Sequence, residues 1–172
     1  MVLFLGTEVM FFAGLVSALL VLRAEAYVWP PAGQPRLPAW ETALNTLVLL
    51  ASGGTMQRAV AVLRRGGRPS VWLDATAALG ALFLGLQGRE WLRLVGFGLT
   101  TTSSLYGSIF YTVVGAHALH VLAALVVLLV VAAYARRGRY RAEEATGLEI
   151  CRMYWLFVVG VWPVLYVLVY LW

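Results

Sequence analysis

The sequence predicts an all-α fold: a polytopic membrane bundle of five transmembrane helices, with the N-terminus cytoplasmic and the C-terminus periplasmic. Three observations carry this. Of 172 residues, 62% are hydrophobic and 12% charged, about half the charged share of a soluble domain. Five apolar runs each supply the roughly 20 residues that a helix needs to cross the hydrocarbon core. The 13 basic residues are all arginine and crowd into alternate loops, which is a topology signal. The same composition excludes a disordered chain, a collagen, a coiled coil and a disulfide scaffold. Basicity is then a property of loops, and nucleic-acid binding is not needed to explain it.

The first run, residues 2–22, has no basic region before it and carries Glu8 in its interior, so it reads as a retained span and not as a cleaved leader. The second, 43–63, follows a loop holding Trp29, Pro30 and Pro31. It contains Ala51, Thr55 and Ala59 four apart, the spacing of a close helix contact. Gly53 and Gly54 read as close-packing or kink positions within it. The third, 71–92, has a similar small-residue stripe in Ala77, Ala81 and Gly85. It closes on Gln87, Arg89, Glu90 and Trp91, a cluster that reads as a solvated interfacial anchor. Asp74, early in this span, is expected to meet the helix N-terminal dipole or Arg68. The fourth run, 105–134, places His117 and His120 three apart on adjacent parts of one face. The fifth, 151–172, begins at the single cysteine, Cys151, and ends among aromatic residues. Residues 1–172 read as one domain.

Orientation comes from the loops. Arg64, Arg65 and Arg68 follow the second run, and Arg136, Arg137, Arg139 and Arg141 follow the fourth; the other two loops offer Arg23 with Arg36 and Arg89 with Arg93. Seven against four places the first pair of loops inside. Tyr27, Trp29, Trp40, Trp91, Tyr154, Tyr170 and Trp172 fall at span ends, as interfacial aromatics do.

Glu8 is the sharpest chemical feature. It lies about 10 Å of helix rise from the N-terminus, within hydrocarbon, where charge costs several kcal/mol. Two readings are open: a proton-accessible carboxylate, or a protonated acid hydrogen-bonded inside the bundle. For His117 and His120 the alternatives are metal or haem ligands, or polar side chains joining helices. No cysteine or carboxylate accompanies them in that span, and His120 shares a stripe with Ala116 and Ala124, which favours a tight helix contact. Arg58 lies inside the end of the second run and must snorkel or find a partner. Arg64, Arg65 and Arg68 suit anionic lipid headgroups. The arginines from Arg136 to Arg141, followed by Glu143 and Glu144, read as a solvated loop. There is no lysine, nucleophile elbow, P-loop, dinucleotide fingerprint, HExxH or CxxC.

The order of short fragments then carries a resemblance. Thr7 to Phe12 followed by Gly14 and Leu15, then Trp29, Pro30 and Pro31, then Asn45 and Thr46 with Leu49 to Gly53, are similar to the third and fourth helices of cytochrome c oxidase subunit III. The match continues through Phe83, Leu84, Gln87, Glu90 and Trp91, then Tyr106 to Phe110, Gly115 to Val121, and Tyr154, Trp155, Val161, Trp162 and Tyr166. These pieces keep the family's order and cover almost the whole chain.

The resemblance implies a non-catalytic subunit of a haem-copper terminal oxidase in the bacterial inner membrane, in a short five-helix form. It implies that haem and copper reside in partner subunits, with none on this chain and no metal site. The implied partners are the catalytic subunit I and subunit II, phospholipids and a respiratory supercomplex. By the same resemblance Glu8 supports proton uptake, Arg58, Arg64, Arg65, Arg68 and Trp29 meet lipid or a subunit interface, and His117, His120, Gln87 and Glu90 fix helix contacts. The chain departs from the family's last-helix pattern, Tyr-Trp-His-Phe-Val-Asp: the histidine position is Leu156 and the aspartate position Val159. The serine that usually follows Ser52 is Gly53. Two rival readings are an accessory protein of nitric oxide reductase or another respiratory complex, and a small transporter or channel. The lack of an inverted repeat argues against the last.

Overall fold

The computed structural model describes residues 1–31, 33, 35–140 and 146–172. It contains α1 (Val2–Glu25), α2 (Ala39–Arg64), α3 (Ser70–Gly96), α4 (Leu105–Arg136) and α5 (Thr146–Tyr166), the last running on into a π turn, Val167–Leu171. All five helices are long and apolar enough to cross a membrane. Each matches an apolar run but outlasts it at one or both ends. Once a helix is nucleated, each added residue gains a backbone hydrogen bond, so the helix continues through polar residues until a proline or glycine stops it. The 32 residues of α4 rise about 48 Å, more than the hydrocarbon core is thick.

Local chemistry sets the ends. Pro38 and Pro69 stand immediately before α2 and α3, where a missing N–H costs no helical bond. Ser104 caps α4, its hydroxyl accepting from the Gly107 N–H at 3.1 Å. Gly66 and Gly138 follow α2 and α4 with φ of 76° and 69°, left-handed backbone that turns the chain away from the helix axis.

Successive helices run antiparallel. One end of the bundle, here the amino end, gathers residue 1 with the α2–α3 turn and the end of α4; the carboxyl end gathers the α1–α2 and α3–α4 connections with residue 172. The α2–α3 hairpin makes the most extensive contact, α5 packs against both α2 and α4, and α1 lies on α4 and α5. Only Phe12 and Leu19 of α1 are buried, so most of that helix faces outward. The core is centred on Trp155, Trp162, Phe83, Phe110, Met56 and Leu128. Two indoles of α5 are tied to hydroxyls of α2: Trp155 Nε1 donates to Ser52 Oγ at 3.2 Å, and Trp162 Nε1 to Thr46 Oγ1 at 2.9 Å. Such pairs satisfy donors that hydrocarbon leaves dry.

The small-residue stripes need correcting. Ala77 and Ala59 are buried, but Ala81, Gly85 and Ala51 are exposed. The inward face of α3 runs instead through Leu73, Ala77, Gly80, Phe83, Gln87 and Glu90, and that of α2 through Leu49, Ser52, Gly53, Met56 and Ala59. Spacing alone gives a stripe without its rotation about the helix. Gly80 lies so close under Trp155 that a Cβ there would overlap the indole, whereas Gly54 has no side chain or neighbouring helix within 4 Å.

Candidate functional site

The second turn of α1 presents Glu8 on the same stripe as Phe12, Leu15 and Leu19, the i, i+4 spacing that turns one face to the bundle. Across that contact, Glu8 Oε2 lies 2.7 Å from His120 Nε2. The two side chains are 16% and 17% exposed. His120 Nδ1 is 2.7 Å from the Ala116 carbonyl oxygen. A carbonyl only accepts, so a hydrogen on Nδ1 faces it, and a hydrogen bond between Nε2 and Oε2 requires one further proton. It sits either on a carboxylic acid donating to imidazole, or on an imidazolium donating to carboxylate. The pair is net neutral in both forms, which is how a carboxyl group is accommodated at this depth. Phe11 stacks on the His120 ring at 5.7 Å and Phe12 meets it edge-on at 5.0 Å, limiting water around the bond.

His117 goes elsewhere. Its ring is stacked on Trp162 at 4.9 Å, with Phe83 and Phe12 edge-on at 6.2 Å each. Neither ring nitrogen has a hydrogen-bond partner among the described residues; the imidazole is packed as an aromatic ring. Among the described residues no group of three or more His, Cys, Asp or Glu converges.

Gln87 and Glu90 are not solvated anchors. They are 1% and 6% exposed, and a network joins them to α2 and the C-terminal turn. Glu90 Oε1 accepts from Tyr170 Oη at 2.6 Å, and its Oε2 lies 2.8 Å from Thr42 Oγ1. Gln87 Nε2 donates to Tyr170 Oη at 3.1 Å, and Asn45 Nδ2 donates to the Phe83 carbonyl at 3.2 Å. Arg89, one residue or about 100° away on the helix, is exposed, while Arg93 forms an ion pair with Glu41 at 2.7 Å. The solvated charge belongs to those neighbours. The three-residue spacing of Gln87 and Glu90, in phase with Phe83, is the signal that places them inward. Pro163 interrupts the α5 ladder before the π turn that carries Tyr170.

The arginines of the amino end are mostly matched. Arg58 lies over the Trp72 ring at 5.4 Å, which meets its need for a partner. Arg64 pairs with Glu149 at 2.8 Å, and Glu149 also holds Arg152. Gln57, Arg64, Arg65 and Arg152 line a cavity of about 290 Å³; Arg68 is exposed. Asp74 departs from expectation: its partner is Arg136, through two hydrogen bonds, and not Arg68 or the helix terminus. Arg136 is therefore an α3–α4 clasp and not simply a solvated loop residue. Arg141, Glu143 and Glu144 lie outside the described residues. At the carboxyl end Trp29 meets Tyr106 edge-on at 5.0 Å.

The three departures from the family pattern occupy one place. A Cβ on Gly53 would lie 3.3 Å from Val159 Cγ1 and 3.6 Å from Leu156 Cδ2. Gly53, Leu156 and Val159 thus form a contiguous apolar contact between α2 and α5.

The family model described as Cytochrome c oxidase subunit III matches residues 1–172. The chain is 38% identical to cytochrome c oxidase subunit 3 of Synechocystis sp., over 99% of this chain and 73% of that one. It is 36% identical to cytochrome c oxidase subunit 3 of Thermostichus vulcanus, over 99% and 85%. It is also 36% identical to the probable cytochrome c oxidase subunit 3 of Mycobacterium leprae, over 98% and 84%.

Proposed function

Because the chain belongs to the cytochrome c oxidase subunit III family and is a membrane-embedded subunit III of a haem-copper oxidase, we propose that Glu8 supports proton uptake by the complex. The 2.7 Å hydrogen bond between Glu8 and His120 carries this reading. A carboxyl group on a helix with most of its surface turned outward is positioned to exchange a proton with a neighbour without burying net charge. The catalytic subunit I, with subunit II, supplies haem and copper and reduces O2 to water with proton pumping. The present chain holds no catalytic centre, forms one domain, and packs against subunit I.

The same reading places the chain in the bacterial cytoplasmic membrane with its amino end inside. That end bears Arg64, Arg65, Arg68, Arg136, Arg137 and Arg139, which fits the excess of arginine on cytoplasmic loops. The cavity between Arg64, Arg65 and Arg152 suits a phospholipid headgroup, with Arg58 and Arg68 nearby in the sequence. Trp29 anchors the opposite interface. Gln87, Glu90, His117 and His120 hold helices together.

Affinity purification through a tag on this chain tests the assignment. The result expected is stoichiometric recovery of a haem- and copper-bearing catalytic subunit with no haem on the isolated chain. Recovery of a nitric oxide reductase core instead, or haem bound by the chain alone, would overturn it.

A further inference from the structure

The hydrogen bonds of the polar cluster at the carboxyl end form one chain, and donor capacity fixes its direction. Asn45 Nδ2 faces the Phe83 carbonyl at 3.2 Å and Gln87 Oε1 at 3.4 Å, so both contacts of this amide use its nitrogen. Gln87 Nε2 donates to Tyr170 Oη, and Tyr170 gives its one hydrogen to Glu90 Oε1. Thr42 Oγ1 then touches two oxygens, Glu90 Oε2 at 2.8 Å and the Pro38 carbonyl at 3.0 Å. A hydroxyl has one hydrogen and a carbonyl has none. Both contacts hold a hydrogen only if Glu90 is a carboxylic acid donating to Thr42, which in turn donates to Pro38. An ionised Glu90 would leave one pair of facing oxygens with no hydrogen between them. It would also bury a charge that no arginine pairs with among the described residues.

The head of this chain is open. Asn45 is 3% exposed, and its Oδ1 has no hydrogen-bond partner among the described residues. Asn45 and Glu90 both line a cavity of about 230 Å³ between α2 and α3, where the other polar side chains are Glu41 and Arg89. Glu41 lies in the first turn of α2, so the cavity reaches the level at which the spans leave the hydrocarbon. An anion would meet two carboxyl groups there, and a metal cation would meet a guanidinium. Water fits both the charge and the space. A buried water needs roughly two to four polar partners and about 30 Å³, and Asn45 Oδ1, Glu90, Glu41 and Arg89 supply the partners.

We propose that Glu90 is a neutral acid that exchanges its proton with the aqueous phase at the carboxyl end, through water held in this cavity on Asn45 Oδ1. The acid passes its proton to a cavity water and takes one back, so no net charge stays in the bundle. Glu90 is then a second protonatable site, in the opposite half of the bundle from Glu8, and it stands whether or not Glu8 serves proton uptake.

The test is infrared spectroscopy of the intact oxidase complex on transfer from H2O to D2O, with the wild-type chain, Leu44→Trp or Asn45→Leu, each compared with the same chain carrying Glu90→Gln. Gln copies the neutral acid, its amide donating to Thr42 and its carbonyl accepting from Tyr170, so the Glu90→Gln complex should assemble. The wild-type minus Glu90→Gln spectrum should contain the carbonyl stretch of one protonated carboxyl group, and that band should shift in D2O. Leu44 lines the cavity outside the hydrogen-bonded chain and is exposed. Leu44→Trp should therefore keep the band and slow its shift about tenfold by narrowing the cavity. Asn45→Leu should slow it likewise, and Leu44→Trp reports even if Asn45→Leu fails to assemble. Absence of a protonated-carboxyl band from the difference spectrum would overturn the proposal, because Glu90 would be ionised. A band that never shifts in D2O would make Glu90 a sealed helix contact and equally refute it. An unchanged shift rate in Leu44→Trp would put exchange on a path other than this cavity, and that too would contradict the assignment.

Discussion

Glu8 and His120, 112 positions apart in the chain, are joined by a hydrogen bond across the α1–α4 contact, with Glu8 Oε2 and His120 Nε2 2.7 Å apart. The Ala116 carbonyl fixes which imidazole nitrogen is used, because it can only accept the hydrogen on Nδ1. Each residue therefore explains the other: the acid is tolerated at this depth because the imidazole is there, and the imidazole is held in one tautomeric arrangement by its own helix.

A double-mutant cycle on the pair should show coupling. Glu8→Leu alone leaves a part-buried imidazole nitrogen without a partner, and His120→Phe alone leaves the acid so; each is expected to destabilise the folded chain by about 1–3 kcal/mol. The combined variant should cost less than the sum by roughly 0.5–3 kcal/mol. Thermal unfolding of the purified complex, read as release of this subunit, measures it. Additive losses would mean that the two side chains do not interact.

Gly80 and Gly54 separate close packing from open surface. Gly80→Ala should cost about 1–3 kcal/mol, since the added methyl collides with Trp155. Gly54→Ala, with nothing in reach, should change stability by less than about 0.5 kcal/mol. Retention of the two variants in the complex on mild heating gives the comparison.

The apolar contact of Gly53, Leu156 and Val159 yields a third expectation. Val159 is 6% exposed, so Val159→Asp introduces a carboxyl group with no partner and should lower the yield of folded chain severely, by several kcal/mol. Adding Leu156→His and Gly53→Ser supplies polar partners in the arrangement the family pattern suggests, and should recover part of the loss. Expression and assembly levels of the single and triple variants decide it.

Tyr170→Phe removes the hydroxyl that donates to Glu90 and accepts from Gln87. Two buried groups lose a partner, so a loss of about 1–3 kcal/mol is expected, with the C-terminal turn freed first. Faster amide hydrogen exchange over Val167–Leu171 than over the rest of α5 would register it.

The helices were legible in the sequence because crossing a bilayer needs a run of apolar residues whatever its neighbours do. Glu8 was legible for the same reason, as a carboxyl group inside such a run. Its partner was not: joining Glu8 to His120 requires the rotation of α1 against α4, which no local pattern encodes. From residue chemistry alone Glu90 reads as a solvated anchor because Arg89 and Trp91 flank it, although a helix sends adjacent residues about 100° apart; the resemblance places it at a helix contact, and the in-phase set of Gly80, Phe83, Gln87 and Glu90 is the sign of that in the sequence itself. For Asp74 the sequence offers only local partners, the helix N-terminal dipole or Arg68, whereas the bundle brings Arg136 to it from 62 positions away.

The most direct test of the proton-uptake proposal compares the wild-type oxidase complex with one carrying Glu8→Gln, following proton uptake and O2 reduction through many turnovers after confirming that the subunit remains bound. Gln keeps the size and hydrogen-bonding capacity of the acid but cannot exchange its proton. Slower proton uptake and earlier loss of activity in the variant are the predicted results. An unchanged initial rate, proton stoichiometry and inactivation time course, with the subunit fully retained, would contradict the proposal and leave Glu8 a helix contact only.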